Sequence, residues 1–297
     1  MLRYTISNCC YYFLKKTFLF ILFICFTVVA HAQRHLYMDV FSGLTLYKGD
    51  LGSIPISKQW NNAVVGAGMA VELSHRLLLR AELNYGRLSG SDKFSIKNKS
   101  RNLSFGSYIT EASLNMEYIL FDLYQYKASP YFFAGVGTFK FSPFTNDMHG
   151  NRVMLAELST EGQGFYQNRP EYKLQKLTIP FGGGLQWALN QRIRILLEAG
   201  IRKTNTDYLD DVSTTYVDQD LLLTRRGAAS VAFAFREDEL DANKDYPAEG
   251  TIRGNPKNKD WYMFGGLHLR FSMQPRLRPY KYTYKPGKAK TSCPTVF

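Results

Sequence analysis

Cysteine is nearly absent from this chain. The four present are Cys9, Cys10, Cys25 and Cys293, three of them in the first thirty residues. If that opening stretch is removed, a single thiol remains, and one thiol makes no internal disulfide. Long hydrophobic runs are scarce as well. The longest, Thr17 to Ala30, falls short of a bilayer span, and a mean hydropathy of -0.25 excludes a bundle of membrane helices. Catalytic signatures are missing: there is no G-x-S-x-G and no H-E-x-x-H, and the acids of the later loops do not follow calcium-loop spacing. No cofactor or metal ligand set is expected.

The N-terminal run has a meaning of its own. Arg3, Lys15 and Lys16 precede the apolar stretch, and Ala30-His31-Ala32 closes it before Gln33. Basic, apolar, then A-x-A predicts a secretory signal over residues 1–32. Charge is just as unevenly spread. Of the formal +12, the signal carries +3, and Arg276, Arg278, Lys281, Lys285, Lys288 and Lys290 place +6 in a tail, residues 272–297, that holds no acid. The body keeps about +3, too little for a nucleic-acid groove. The basic tail is the expected partner-binding element.

What is abundant is two-residue alternation. Between Ala63 and Gly86, Val65, Ala67, Met69, Val71 and Leu73 alternate with Gly66, Gly68, Ala70 and Glu72. After Ser74-His75-Arg76, Leu77, Leu79, Ala81, Leu83 and Tyr85 alternate with Leu78, Arg80, Glu82 and Asn84. This is a hairpin, and pairing Leu73 with Leu77 puts every apolar side chain on one face. The same period predicts strands over Leu36–Tyr47, Ser107–Phe121, Tyr131–Phe141, Leu177–Leu189, Ile193–Arg202 and Trp261–Phe271. In Tyr131–Phe141 both faces are apolar, so its inward side is not assigned. Pro180 cannot donate to a ladder and predicts a bulge or an edge of regular pairing. Asp218 to Phe235 is either a short helix capped by Asp218 or a further hairpin.

An apolar face could lie against a second sheet or against lipid. Connection lengths decide. The stretches 48–62, 87–106, 142–176 and 203–260 are long, whereas 74–76, 122–130 and 190–192 are short. Strict alternation of long and short is the asymmetry of an outer-membrane barrel, with tight periplasmic turns and long external loops. The predicted fold is an all-β, eight-stranded antiparallel transmembrane barrel over residues 33–271, with outer-membrane lipid and the barrel-assembly machinery as obligatory partners. Tyr85, Tyr108 and Trp261 would form one aromatic girdle, and Tyr118, Trp187 and Phe271 the other. Gly266 to Phe271, ending on an aromatic, resembles the closing-strand signal of assembly.

Parity then places Asp39, Glu72, Glu82, Glu111, Glu117 and Glu198 inside with Arg80, Arg194, Arg202, His268 and Arg270. Eight strands leave room only for side chains, so these should neutralise one another as an internal network. His268 reads as a member of it. Asp207, Asp210, Asp211, Asp218 and Asp220 read as solvated loop acids, the alternative being a surface hydrolase using Asp210 and His149. Thr160 to Gly164 follows no strand and precedes no helix, so it is not a phosphate cradle.

Several ordered motifs carry a resemblance. Asn102-Leu103-Ser104-Phe105, Ser129-Pro130-Tyr131 with Ala134-Gly135-Val136-Gly137, Thr160-Glu161-Gly162-Gln163-Gly164, Ile179-Pro180-Phe181-Gly182, Thr206 through Ser213, and Arg253-Gly254-Asn255-Pro256 before Asp260-Trp261-Tyr262 stand in this order. Together they resemble a family of uncharacterised outer-membrane β-barrel proteins that includes PorG, a component of the type IX secretion system. The resemblance implies a barrel, no carried-over catalytic residue, and contact with a periplasmic part of the secretion machinery. A non-enzymatic anchoring barrel is the leading expectation, with a small diffusion pore as the alternative.

Overall fold

The structure is a computed structural model and describes residues 35–52, 62–95 and 97–273. The expected signal (1–32) and the tail cations Arg276 to Lys290 lie outside the described residues. Among the described residues nine strands form: β1 Leu36–Lys48, β2 Ala63–Ser74, β3 Leu77–Ser91, β4 Ser104–Ile119, β5 Ala128–Asn146, β6 Arg152–Met154, β7 Gln175–Ala188, β8 Ile193–Thr204 and β9 Trp261–Ser272. Neighbour order runs β4-β3-β2-β1-β9-β8-β7-β5, and β4 also pairs β5, so eight strands close on themselves. The short β6 only extends the outer end of β5 as a hairpin. No described helix is long and apolar enough to cross a membrane. The crossing is made by strands, whose backbone groups find partners on both sides.

The exterior of this ring is apolar. Met38, Val40, Val65, Met69, Leu83, Leu114, Val136 and Leu267 are all exposed, each alternating with a buried or small neighbour. Water would not tolerate such a contiguous belt, but hydrocarbon requires it. Tyr85 stacks on Tyr108 with ring centroids 6.0 Å apart at one rim, while Tyr118 and Trp187 stand exposed at the other. Short connections (75–76, 120–127, 189–192) gather at the end holding the start of β1 and the end of β9. The chain is an outer-membrane barrel, with that end in the periplasm and the long connections outside.

Details depart from the expected boundaries. Val71 faces Leu79 and Val65 faces Tyr85, the register that pairs Leu73 with Leu77, but Ser74 takes Leu77 through a bulge, so Leu73 is skipped and the turn is only His75-Arg76. β3 runs on to Ser91, because Leu88 keeps the inward parity and is fully buried. β5 is longer at both ends, and its inside is now assigned: Tyr131, Phe133, Phe139 and Phe141 are buried, whereas Phe132 and Val136 are exposed. At Pro180 there is no register shift. Pairing with β5 lapses between Ala134–Phe181 and Gly137–Thr178, while Pro180 keeps Arg202 as its partner on β8. The ladder therefore skips where the missing N–H would have pointed. Two helices, not strands, occupy the last loop: α2 Gln219–Arg226 and α3 Ala228–Ala234, after a one-turn α1 at Leu155–Leu158. Asp218 caps α2, accepting from the Leu221 N–H at 2.8 Å.

The closing seam between β1 and β9 depends on small residues. Gly43 sits opposite Gly266, and a Cβ added to Gly266 would stand 2.3 Å from the Ser42 carbonyl and 2.9 Å from the Phe41 ring. Gly266→Val is expected to prevent closure, so the folded, faster-migrating form on an unheated gel should disappear. Retention of that form would show the seam is looser than described.

Candidate functional site

The lumen is filled in layers, starting at the periplasmic mouth. Tyr37 donates to Glu72 at 2.7 Å and accepts from Arg194 at 2.8 Å, and Tyr124 donates to the other Glu72 oxygen at 2.7 Å. Above them lies the main charge cluster. Arg270 forks onto both oxygens of Asp39, at 2.7 Å each, and onto both of Glu117, at 2.9 and 3.0 Å. Such a double fork suits a planar guanidinium and no other side chain. Arg80 lies 2.7 Å from Glu117, 2.8 Å from Glu198 and 3.3 Å from Glu82, ionic contacts without linear hydrogen-bond geometry. Tyr131 donates to Glu198 at 2.7 Å. His268 stacks on Phe41 at 4.4 Å and approaches Glu198 at 3.3 Å and Glu82 at 3.6 Å.

All eleven charged residues assigned inward by parity are buried. Nine of them sort around this cluster and the mouth below it, and the remaining pair lies higher. There Glu111 accepts from Tyr262 at 2.5 Å and meets Arg202 at 3.6 Å. In the main cluster four carboxylates (Asp39, Glu82, Glu117, Glu198) surround two guanidiniums. Asp39, Glu82 and His268 also present ligand atoms within 4.8 Å of one another. A cation there would have to displace Arg270 from Asp39, so arginine already fills the role of counter-ion.

The outer half of the lumen is not polar, contrary to a uniformly charged filling. Phe41, Phe105, Phe139, Phe141, Tyr262 and Phe264 pack there with Val64, Leu88 and Ile109. Tyr262 meets Phe264 at 5.3 Å and Phe139 edge-on at 5.5 Å, and the Arg202 guanidinium lies 4.2 Å above Phe264. Leu51, Leu103, Leu155, Leu209 and Val212, all from external loops, seal this core from above.

The loop acids overturn their expected solvation. Asp207, Asp210 and Asp211 are buried, although Asp218 and Asp220 are exposed. Thr206 to Ser213 winds into the mouth, and each acid accepts from hydroxyls or backbone amides gathered there. Asp210 accepts from Tyr47 at 2.6 Å, from the Leu51 N–H at 3.3 Å and from the Val212 N–H at 3.0 Å. Asp211, in a left-handed turn with φ 65°, accepts from Thr160 and Tyr172 at 2.6 Å each. Ser213 donates to Asp207 at 2.7 Å, and Asp260 accepts from the Leu209 N–H at 2.9 Å. Glu161, from the glycine-rich stretch, accepts from the Ser213 and Thr214 amides at 2.9 Å and pairs with Arg253 at 2.9 Å. That stretch is thus a structural clasp. Arg101 pairs with Asp92 at 2.7 Å and donates to the Arg253 carbonyl. A signal for this burial was present in Leu209 and Val212, apolar residues interleaved with the acids where a solvated loop has no use for them.

Burial pushes Asp207 and Asp211 up to about 7, the latter against the pull of Arg253, and Asp210 up to about 8. Asp260 is raised too, by burial and by Asp210. These acids hold protons more tightly folded than unfolded. The stability they contribute is complete below the ordinary 3.8 and is lost as pH rises through 7 to 8. Proteolytic nicking within 205–260 should therefore be faster at pH 9 than at pH 6 once corrected for protease activity, and Asp210→Asn should flatten the difference. Equal rates in the parent would refute the assignment. Arg270→Met, which leaves Asp39 buried without its ion-pair partner and Glu117 with Arg80 alone, should cost about 3–5 kcal/mol in equilibrium unfolding; a loss under about 1 kcal/mol would mean that water or another cation replaces the guanidinium.

Comparison with known proteins gives a family and a set of shapes. The model of a family described as Domain of unknown function (DUF6089) matches residues 15–222. No curated protein matches the sequence. Similar solved structures include Neisserial surface protein A (NspA), 10% identical with a TM-score of 0.39, over 80% of this chain and 96% of that one. Ail, the attachment invasion locus protein of Yersinia pestis, is 10% identical with a TM-score of 0.38, over 81% and 100%. The outer membrane protein OprG from Pseudomonas aeruginosa is 7% identical with a TM-score of 0.36, over 79% and 95%.

Proposed function

The chain belongs to the family described as Domain of unknown function (DUF6089), and we propose that it serves as a non-enzymatic structural barrel that anchors a periplasmic partner at the outer membrane. The filled lumen carries this reading. Arg80 and Arg270 are fully buried toward the periplasmic side of the bore, the aromatic layer lies above them, and loop residues pack onto that layer at the outer mouth. A barrel whose bore is filled by side chains has its surfaces left to work with. A loop-borne hydrolase has little support, since His149 stands on an exposed turn while the Asp210 oxygens are taken by Tyr47, Leu51 and Val212.

The class of partner draws on two features. β9 ends at Ser272 at the barrel end that carries the short turns, and the sequence that follows holds Arg276, Arg278, Lys281, Lys285, Lys288 and Lys290 with no acid. The ordered motifs resemble those of the family containing a type IX secretion component. A periplasmic protein of such a secretion assembly, presenting an acidic face, fits both.

Cross-linking in cells through the tail lysines should give one discrete partner band that vanishes when the chain is truncated after Met273, the barrel remaining heat-modifiable. A smear, or a band that survives truncation, would sink the tail's role. Reconstituted full-length protein should be electrically silent in planar bilayers; unitary conductance steps would favour the pore instead.

A further inference from the structure

Three neighbouring strands reach the external rim in register. Lys48 of β1 and Lys203 of β8 both pair with Trp261 of β9, one from each side. All three face outward, since the residues one pleat below, Leu46, Met263 and Ile201, belong to the lipid-facing set, with Phe181 of β7 beside Ile201. The last loop then brings Lys257 and Lys259 to the same place. The result is a groove of about 740 Å³ lined by the four lysines together with Phe181, Ile201 and Trp261.

Among the described residues these cations have no ion-pair partner, although the charge of Lys259 is felt by the buried Asp207. Lys48 lies 5.3 Å from the Trp261 ring centre and Lys259 donates to the Pro256 carbonyl at 3.0 Å. The arginines of the lumen, in contrast, are all matched. The one acid on the groove, Asp50, is half-buried and turned to the Asn255 amide at 2.8 Å. Four like charges held together repel one another unless an anion joins them. The floor specifies the anion further. Phe181 is 40% exposed and continues the belt that meets acyl chains, a surface a soluble anion would not use.

We propose that this groove binds a phosphate-bearing lipid of the outer leaflet, with phosphate among the four ammonium groups and an acyl chain along Phe181 and Ile201. Lysine suits the task as a compact point charge on an apolar stem that lies along the belt. The height is also right, because Trp261 belongs to the external aromatic girdle, where headgroups sit.

The test uses the full chain in a neutral detergent, titrated with fluorescent bis-phosphorylated lipid A. Replacing Lys48, Lys203, Lys257 and Lys259 together by Gln should weaken binding at least about tenfold. A matched change of four exposed external lysines, Lys93, Lys97, Lys99 and Lys173, to Gln should alter it less than about twofold. The dephosphorylated lipid should bind weakly and inorganic phosphate should not compete. Heat-modifiable migration checks that each variant folds; should the fourfold variant fail, Lys257→Gln with Lys259→Gln, confined to a loop, should still cost about threefold. Unchanged affinity in the folded variants, an equal loss in the matched control, equal binding of the dephosphorylated lipid, or full displacement by inorganic phosphate would each overturn the proposal.

Discussion

In hydrocarbon no water is at hand for an unpaired amide, and that constraint governs everything else in this molecule. It forces eight strands to close, and the order β4-β3-β2-β1-β9-β8-β7-β5 with β4 returning to β5 is the closure. It explains why Pro180 is placed where the β5 ladder lapses and why Gly43 and Gly266 face one another across the seam. Closure at eight strands in turn sets the bore. A tube this narrow has no room for a water column, so its inward side chains must satisfy one another.

Two solutions to that packing problem are stacked along one axis. Near the periplasmic side carboxylates outnumber guanidiniums, and each arginine is shared: Arg270 between Asp39 and Glu117, Arg80 among Glu117, Glu198 and Glu82. Glu117 therefore links the two arginines. Removing one member strands several others, which makes the cluster a specifier of register more than a source of net stability. Toward the outside, aromatic rings fill the same bore without any charge to match. The change falls at Glu111, Arg202 and Tyr262, where a hydrogen-bonded phenol and a guanidinium over the Phe264 ring join the two regimes.

Strand parity, the hairpin register and the inward charges were legible in the sequence because a two-residue period is local. One residue of slippage would have turned Glu82 or Arg270 to lipid, so the pattern admits a single register. Strand ends were less legible. Leu88 to Ser91 continue β3 on inward parity, but their serines and glycine read as loop without knowledge that β4 lies alongside. The buried acids were hidden for a different reason. Asp210 is solvated or buried according to whether Tyr47 and the Leu51 amide, more than 150 residues earlier, come to meet it. No window of sequence holds that contact. Its trace survives in Leu209 and Val212, apolar residues with no role in an exposed loop.

The cap and the rim show how one chain handles charge on either side of the membrane boundary. Inside the mouth, Glu161 and Arg253 pair under cover, and the acids around them accept backbone donors because a tight turn leaves amides without partners. A few residues further on, between Arg253 and Asp260, the exposed Lys257 and Lys259 carry charge outward and form no ion pair among the described residues. The same loop thus serves both faces: its buried ends, Arg253 and Asp260, tie it to the loop cap, and its exposed middle lies beside Trp261. Fixing the middle of the loop by its ends removes the ordering cost that four independent lysines would otherwise meet on gathering round one anion.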